Sequence, residues 1–215
     1  SLLQAFAKSQ EIVVRILHEP VPGLSRARNR GWRAARADVI AFTDDDCYPQ
    51  PDFPDRILAP FERDADLGFV GGSVLLWDNT DLPITIQTNS TFIEIPKSSF
   101  VEAGVIHGAN MAFRKKYLDL VGGFDELLGA GSVIPAAEDT EIMCAVCSQG
   151  GSGCYDPEVV VYHHHRRKEK KDESRLLKQY DLGRGAYYLK CLLDSKRRRL
   201  AAKHIYWGVL RKDHG

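Results

Sequence analysis

Val39-Ile40-Ala41-Phe42-Thr43-Asp44-Asp45-Asp46-Cys47 is the stretch on which the reading of this chain turns. Its first five residues make an apolar, partly β-branched run of the length of a buried parallel strand, and three carboxylates follow without a break. Ligands of α/β sheets bind in the crevice beyond the carboxyl ends of the strands, so the aspartates stand where a ligand is expected. Adjacent carboxylates repel one another, and a bound divalent cation is the simplest way to neutralise them. Oxygen ligands of this kind suit Mg²⁺ or Mn²⁺. A solvated acidic turn, with Asp46 acting as a cap, is the other reading of the same three residues.

Working outward, residues 12–17 (Ile-Val-Val-Arg-Ile-Leu) read as a strand, and two prolines and a glycine in 18–23 end it. Ser25 reads as the N-cap of a helix over 26–36, which leads into the central run. Downstream the pattern predicts a helix over 53–63, a strand over 68–76, a loop at 78–83 and a mixed segment to Phe113. A short helix over 115–121, a helix from Glu138 to about Gln149 and a strand over 159–162 come next. Two helices, 174–193 and 196–210, close the chain. Strands and helices alternate, so the expected class is α/β, a layered sheet with helices and a C-terminal helical tail.

The composition agrees. With 215 residues, 44% hydrophobic and 27% charged, the chain can bury a core and is neither disordered nor a disulfide miniprotein. No apolar run is long enough to span a bilayer, and the start lacks the pattern of a signal peptide. Cys47, Cys144, Cys147, Cys154 and Cys191 are odd in number and scattered, which suits a reducing, cytoplasmic setting. Cys144 and Cys147 with Cys154 and the histidines at 163–165 could be read as zinc ligands, but the first two lie in an expected helix and no second pair follows. The formal net charge of zero is unevenly divided: residues 166–215 hold 16 Lys+Arg against 6 Asp+Glu, and the rest hold 13 against 23. The basic tail could pair with acidic surfaces or lie on anionic phospholipid at the inner face of a membrane. It is equally a solvated helix pair. Nothing points to nucleic acid.

Two further groups could carry chemistry. His163, His164 and His165 end a strand, and alternation sends His163 and His165 to one face and His164 to the other. Glu138 and Asp139 open a helix, where the dipole favours carboxylates. A carboxylate held there is either a cap or a general base.

Five segments in order then make a pattern: 23–31 (Gly-Leu-Ser-Arg-Ala-Arg-Asn-Arg-Gly), 40–47, 108–114 (Gly-Ala-Asn-Met-Ala-Phe-Arg), 122–126 (Gly-Gly-Phe-Asp-Glu) and 138–141 (Glu-Asp-Thr-Glu). Together they resemble the family 2 glycosyltransferases of the GT-A fold. The resemblance implies a nucleotide-diphosphate sugar donor, an acceptor hydroxyl on a carbohydrate or lipid-linked molecule, and inversion at the transferred sugar. It implies Asp46 and His163 as ligands of Mn²⁺ or Mg²⁺, and Asp139 as general base with Glu138 beside it. Asp44, Asp45, Gly108, Ala109 and Asn110 would line the donor, with Arg26 and Asn29 beneath the nucleotide. It further implies a catalytic domain over 1–166 that lacks the family's first β-α-β unit, and a basic helical extension over 167–215. A non-catalytic binding module and a metal-dependent phosphohydrolase using the same carboxylates are the rival readings.

Overall fold

The computed structural model describes Gln4 and residues 12–210. Helix α1 (Leu24–Ala34) leads to strand β1 (Val39–Phe42), followed by β2 (Cys47–Pro49), α2 (Phe53–Arg63), β3 (Leu67–Leu76) and β4 (Ile93–Ile95). Then come β5 (Met111–Arg114), α3 (Lys115–Val121), α4 (Glu138–Ser148), β6 (Ser152–His163), α5 (Lys170–Leu193), α6 (Arg198–His204) and a π-helical turn (Ile205–Leu210). Six strands form one mixed sheet in the order β1-β5-β3-β6-β2, with β4 on β6. Only β3 and β6 run parallel among these pairs; β1, β2 and β4 are antiparallel to their neighbours.

Strand alternation builds two cores. Phe69, Met111 and Phe113 face α1, α3, α4 and α5, whereas Val70, Ala112, Val159 and Val161 face Phe53, Ile57 and Phe61 of α2. Phe69, Met111 and Phe113 are wholly buried, and burying a side chain of this size stabilises by about 1.5–3 kcal/mol. The β3–β6 register slips between Gly72 and Ser73. A Cβ at Gly72 would collide with the Val159 carbonyl, so only glycine lets the two backbones approach here. The buried Asn110 amide donates to the Ser73 and Val159 carbonyls, 2.8 Å each, and stitches the irregularity shut.

Helix α5 is docked on α4 and the loops around it by specific contacts. Gly183 abuts Ala136, where a Cβ would lie 2.8 Å from the alanine methyl. Tyr187 Oη donates to the Val101 carbonyl at 2.8 Å. Glu141 of α4 is buried, and its Oε1 receives Lys190 Nζ of α5 and Arg197 Nη1, each at 2.8 Å. Among the described residues no helix is long and apolar enough to cross a membrane.

Several expectations from the sequence are corrected. Residues 12–17 form no strand; they are irregular, and Val13 is 90% exposed. Their β-branched composition is realised as a strand only when another strand pairs with it, and among the described residues none does. β1 pairs antiparallel with β5 and leaves Ala41 exposed, so it is not a buried parallel strand. Ser25 is not the cap of α1: Gly23, at φ 144°, occupies that position, and Ser25 Oγ donates to the Leu128 carbonyl instead. The final expected helix divides at Ile205, where the winding changes to π. The less favoured zinc reading finds no support, because Cys144 and Cys147 lie in α4 on one face of the sheet and Cys154 belongs to the core on the other.

Candidate active site

After β1 the chain turns through Asp44-Asp45-Asp46, with Cys47 N–H donating to the Asp44 carbonyl at 3.2 Å. β2 then pairs with the end of β6 so that Cys47 stands opposite His163. That register brings two distant motifs together: Asp46 Oδ1 lies 3.3 Å from His163 Nε2. The backbone fixes the approach, since His164 N–H donates to the Asp46 carbonyl at 2.9 Å. Donor atoms of Asp46, Cys47 and His163 all lie within 4.8 Å of one another. Burial, and secondarily the Asp44 and Asp46 charges, push the Cys47 thiol up to about 12.

Thr85 decides the tautomer of His163. The Thr85 hydroxyl donates to the Ile84 carbonyl at 2.6 Å, so its oxygen can only accept from His163 Nδ1, 3.3 Å away. The Thr85 carbonyl, a second acceptor, is 3.4 Å from the same nitrogen. Nδ1 therefore carries the proton and Nε2 presents a lone pair toward Asp46. Two acceptors facing each other are unfavourable until a proton or a cation lies between them.

The second half of the site is gathered by Arg28, a residue of α1 with only 6% of its side chain exposed. Its guanidinium donates to Glu138 Oε1 at 2.8 Å, to the Gly108 carbonyl at 3.1 Å and to Asp44 Oδ1 at 3.3 Å. Asp139 is held next to it: its Oδ2 accepts from Gly108 N–H at 2.9 Å and its Oδ1 from Thr140 N–H at 2.6 Å. Ala137, in the left-handed region at φ 74°, turns the chain so that both carboxylates open α4. Burial, and then the charge of Asp139, raise the Glu138 carboxyl to about 7, although Arg28 pulls the other way.

That shift gives a testable pH dependence. A carboxyl with a raised folded-state pKa favours folding fully below its unfolded value and loses that contribution as pH rises through the folded one. The stability of the native protein minus that of Glu138→Gln is expected to fall between about pH 5 and pH 8, by at most about 3 kcal/mol. Denaturant unfolding of both proteins across that window checks it, and a flat difference would contradict it.

Two residues near this centre were not anticipated. His107 precedes Gly108; burial lowers its pKa, while the Asp139 charge raises it and His163 lowers it further. Tyr180 of α5 is 39% exposed, yet partial desolvation and then the charges of Asp139, Glu138 and Asp44 push its phenol up to about 12. His107 could have been noticed as a titratable residue beside the Gly-Ala-Asn segment. Tyr180 carries no local signal.

The other expected residues make their own contacts within the fold. Asn29 is buried, its Oδ1 accepting from Phe124 N–H and Trp32 Nε1 and its amide donating to the Phe124 carbonyl, so it fastens the 122–126 turn to α1. Ala109 is core on the α2 side, and Asn110 stitches β3 to β6. Arg26 pairs with Glu126 in an open groove shared with Arg30 and Arg33. Asp45 is exposed at the tip of the turn.

The glycosyl transferase family 2 model matches residues 1–122. A glucosyl-dolichyl phosphate glucuronosyltransferase of Haloferax volcanii is 26% identical over 112 residues, which cover 50% of this chain and 36% of that protein. EpsH of Bacillus subtilis (strain 168), named as a glycosyltransferase, is 26% identical over 110 residues, 49% of this chain and 32% of that one. The chain thus spans about a third of the length of these curated relatives. Among solved structures, the mannosyltransferase PcManGT of Pyrobaculum calidifontis, in complex with GDP-Man and Mn²⁺, superposes with a TM-score of 0.62 at 16% identity, covering 96% of this chain and 56% of that one. TarS 1-349 of S. aureus gives 0.61 at 10% identity, covering 98% and 59%. These likenesses establish the GT-A fold, and the family match together with the order of elements leads to one conclusion: this chain belongs to glycosyl transferase family 2.

Proposed function

We propose that the chain carries the reaction face of an inverting, metal-dependent glycosyltransferase, which moves a sugar from a nucleotide-diphosphate donor to an acceptor hydroxyl. The observation that supports it most is the meeting of Asp46 and His163, 3.3 Å apart at the ends of neighbouring strands. An imidazole whose protonated nitrogen is turned away toward Thr85, and whose lone pair faces a carboxylate, is a donor set suited to Mn²⁺ or Mg²⁺. Asp46 and His163 would hold the ion, which when bound supplies charge neutralisation for a departing diphosphate. Mn²⁺ accompanies the nucleotide sugar in PcManGT.

The chain's own residues do the rest. Asp139, fixed at a helix end by Gly108 and Thr140, would accept the proton of the attacking hydroxyl. Arg28 ties Asp44, Glu138 and Gly108 into one rigid group, so the donor-facing aspartate and the base keep their spacing. Burial and the Asp139 charge raise the Glu138 carboxyl to about 7, so a proton on Glu138 would relieve the repulsion between the two carboxylates. The acceptor class, a carbohydrate or a lipid-linked molecule, fits the dolichyl phosphate relative. Residues 1–166 would form the catalytic domain and 167–215 the extension that braces it. Tyr206 and Trp207, about half exposed near its end, are the groups that would rest on an anionic membrane face.

A panel of UDP- and GDP-sugars incubated with the intact protein, with and without acceptor, Mn²⁺ and chelator, tests this reading. Metal-dependent release of the nucleoside diphosphate with sugar transfer and an inverted anomeric configuration is expected. Inorganic phosphate released without sugar transfer would point to the phosphohydrolase, and no turnover with any donor would point to the binding module.

A further inference from the structure

A second cluster of metal-ligating side chains lies apart from the pair just described. His164 is turned away from Asp46 to the loop that follows β3, where donor atoms of Asp78, Asp81 and His164 all lie within 4.8 Å of one another. The loop is tightly built: Thr80 N–H and Oγ1 donate to Asp78 Oδ1 at 2.8 and 2.7 Å, and Asp81 N–H donates to the Asp78 carbonyl at 3.0 Å.

The decisive group is Asp81. It is 4% exposed as a residue and its side chain is fully buried. Its Oδ2 accepts from Arg166 N–H at 2.9 Å. Its Oδ1, also buried, has no hydrogen-bond partner. His165 does not satisfy it, because His165 Nδ1 accepts from Arg167 N–H at 3.0 Å and so has no proton to offer in the neutral ring. Lys168 Nζ stands 3.9 Å from Asp81 Oδ1 and spends its short contacts on Thr80 Oγ1 at 2.6 Å and Asp78 Oδ2 at 3.3 Å. A buried carboxylate oxygen left in this state is costly, and more so because the group is charged. Its neighbours, a second carboxylate and an imidazole, are the ligand types of a transition-metal dication.

We propose that Asp78, Asp81 and His164 form a second metal site, which takes a dication of the zinc type. One imidazole and two carboxylates make three of the four ligands of a tetrahedral Zn²⁺ centre, and bonds of about 2.0–2.2 Å require the three donors to close by roughly an ångström. Lys168, whose side chain is 53% exposed, is the competing cation and swings out to solvent when the metal enters. The metal would clip the exit of β3 to the exit of β6, steadying the loop that carries Thr85 and through it the Nδ1 side of His163. This inference does not depend on sugar transfer being observed.

The test uses Zn²⁺ alone, titrated into metal-stripped protein against a chromophoric chelator. The native protein is expected to bind two Zn²⁺ per chain, and Asp46→Ala/His163→Ala one. Adding His164→Ala to that pair is expected to weaken the remaining site by at least about a hundredfold, the upper range for disturbing even the outer partners of a metal site. Lys168→Met is expected to tighten it. Should the double variant fail to fold, a fall from two Zn²⁺ to one on His164→Ala alone, with loss of part of the Zn²⁺-induced rise in melting temperature, carries the same information. Binding that persists unchanged in His164→Ala would belong to the cysteines and overturn the proposal. So would the absence of a stoichiometric Zn²⁺ once Asp46 and His163 are gone.

Discussion

Asp139→Asn in the intact protein is expected to lower turnover by at least about a hundredfold while leaving nucleoside-diphosphate affinity within about twofold, as befits loss of a positioned proton acceptor. Asparagine keeps the size of aspartate and its ability to sit at a helix start, so a residue that merely organised α4 would tolerate the exchange. The geometry sets a limit on the structural cost. Asp139 accepts through both oxygens, from Gly108 N–H and from Thr140 N–H. An amide can replace only one of these acceptors, which costs on the order of 1 kcal/mol in stability. Turnover, calorimetric binding of the diphosphate and denaturant unfolding together separate the two roles. Near-normal turnover with folding and binding intact would remove Asp139 from the chemistry.

Asp46→Ala is expected to abolish Mn²⁺ binding at the reaction site, because the carboxylate is the anionic member of the pair that His163 completes. His163→Ala should weaken the same binding severalfold to a hundredfold, whereas His164→Ala should leave it unchanged, since His164 addresses Asp78 and Asp81. Calorimetry with Mn²⁺ on the three variants distinguishes them. Equal losses for His163→Ala and His164→Ala would mean that the end of β6 presents its side chains in another order, and unchanged affinity in Asp46→Ala would end the metal assignment.

Much of this architecture is legible in the residues themselves. Helices over 53–63 and 115–121 are found where the pattern puts them, because each has an apolar stripe with breakers at its ends. The pairing of Asp46 with His163 is implied by the family resemblance; alternation adds that the first and third histidines share one side. His163 and His165 do share it, their rings 5.2 Å apart. What escapes is decided by partners far away in the chain. Residues 12–17 carry strand propensity, yet a strand exists only when paired. Helix α1 holds Arg26, Arg28, Arg30 and Arg33, which look alike in sequence; packing buries Arg28 alone and makes it the hub of the carboxylates. Asn29, expected beneath the nucleotide, bonds Phe124 and Trp32, contacts that no local pattern announces. Tyr180 sits in a helix whose charge suggests a free surface, and only the docking of α5 on Ala136 brings it to the site.

The Glu141 contacts bear on how the protein matures. Glu141 lies in the first turn of α4, two residues after Asp139, and is buried. Its partner Arg197 is 56 residues farther along the chain. At synthesis rates of roughly 5–20 residues per second, α4 waits about 3–11 s for that guanidinium to be made, and longer for it to clear the ribosome. During this interval a carboxylate destined for the interior has no counter-charge and must stay hydrated, so α4 cannot settle into its final seat. The sheet can collapse early around Phe69 and Phe113, but the start of α4 is completed last, when α5 and the turn after it deliver Lys190 and Arg197. Ribosome-arrested chains ending before residue 197 should therefore show protected β-sheet amides alongside an exchange-labile start of α4.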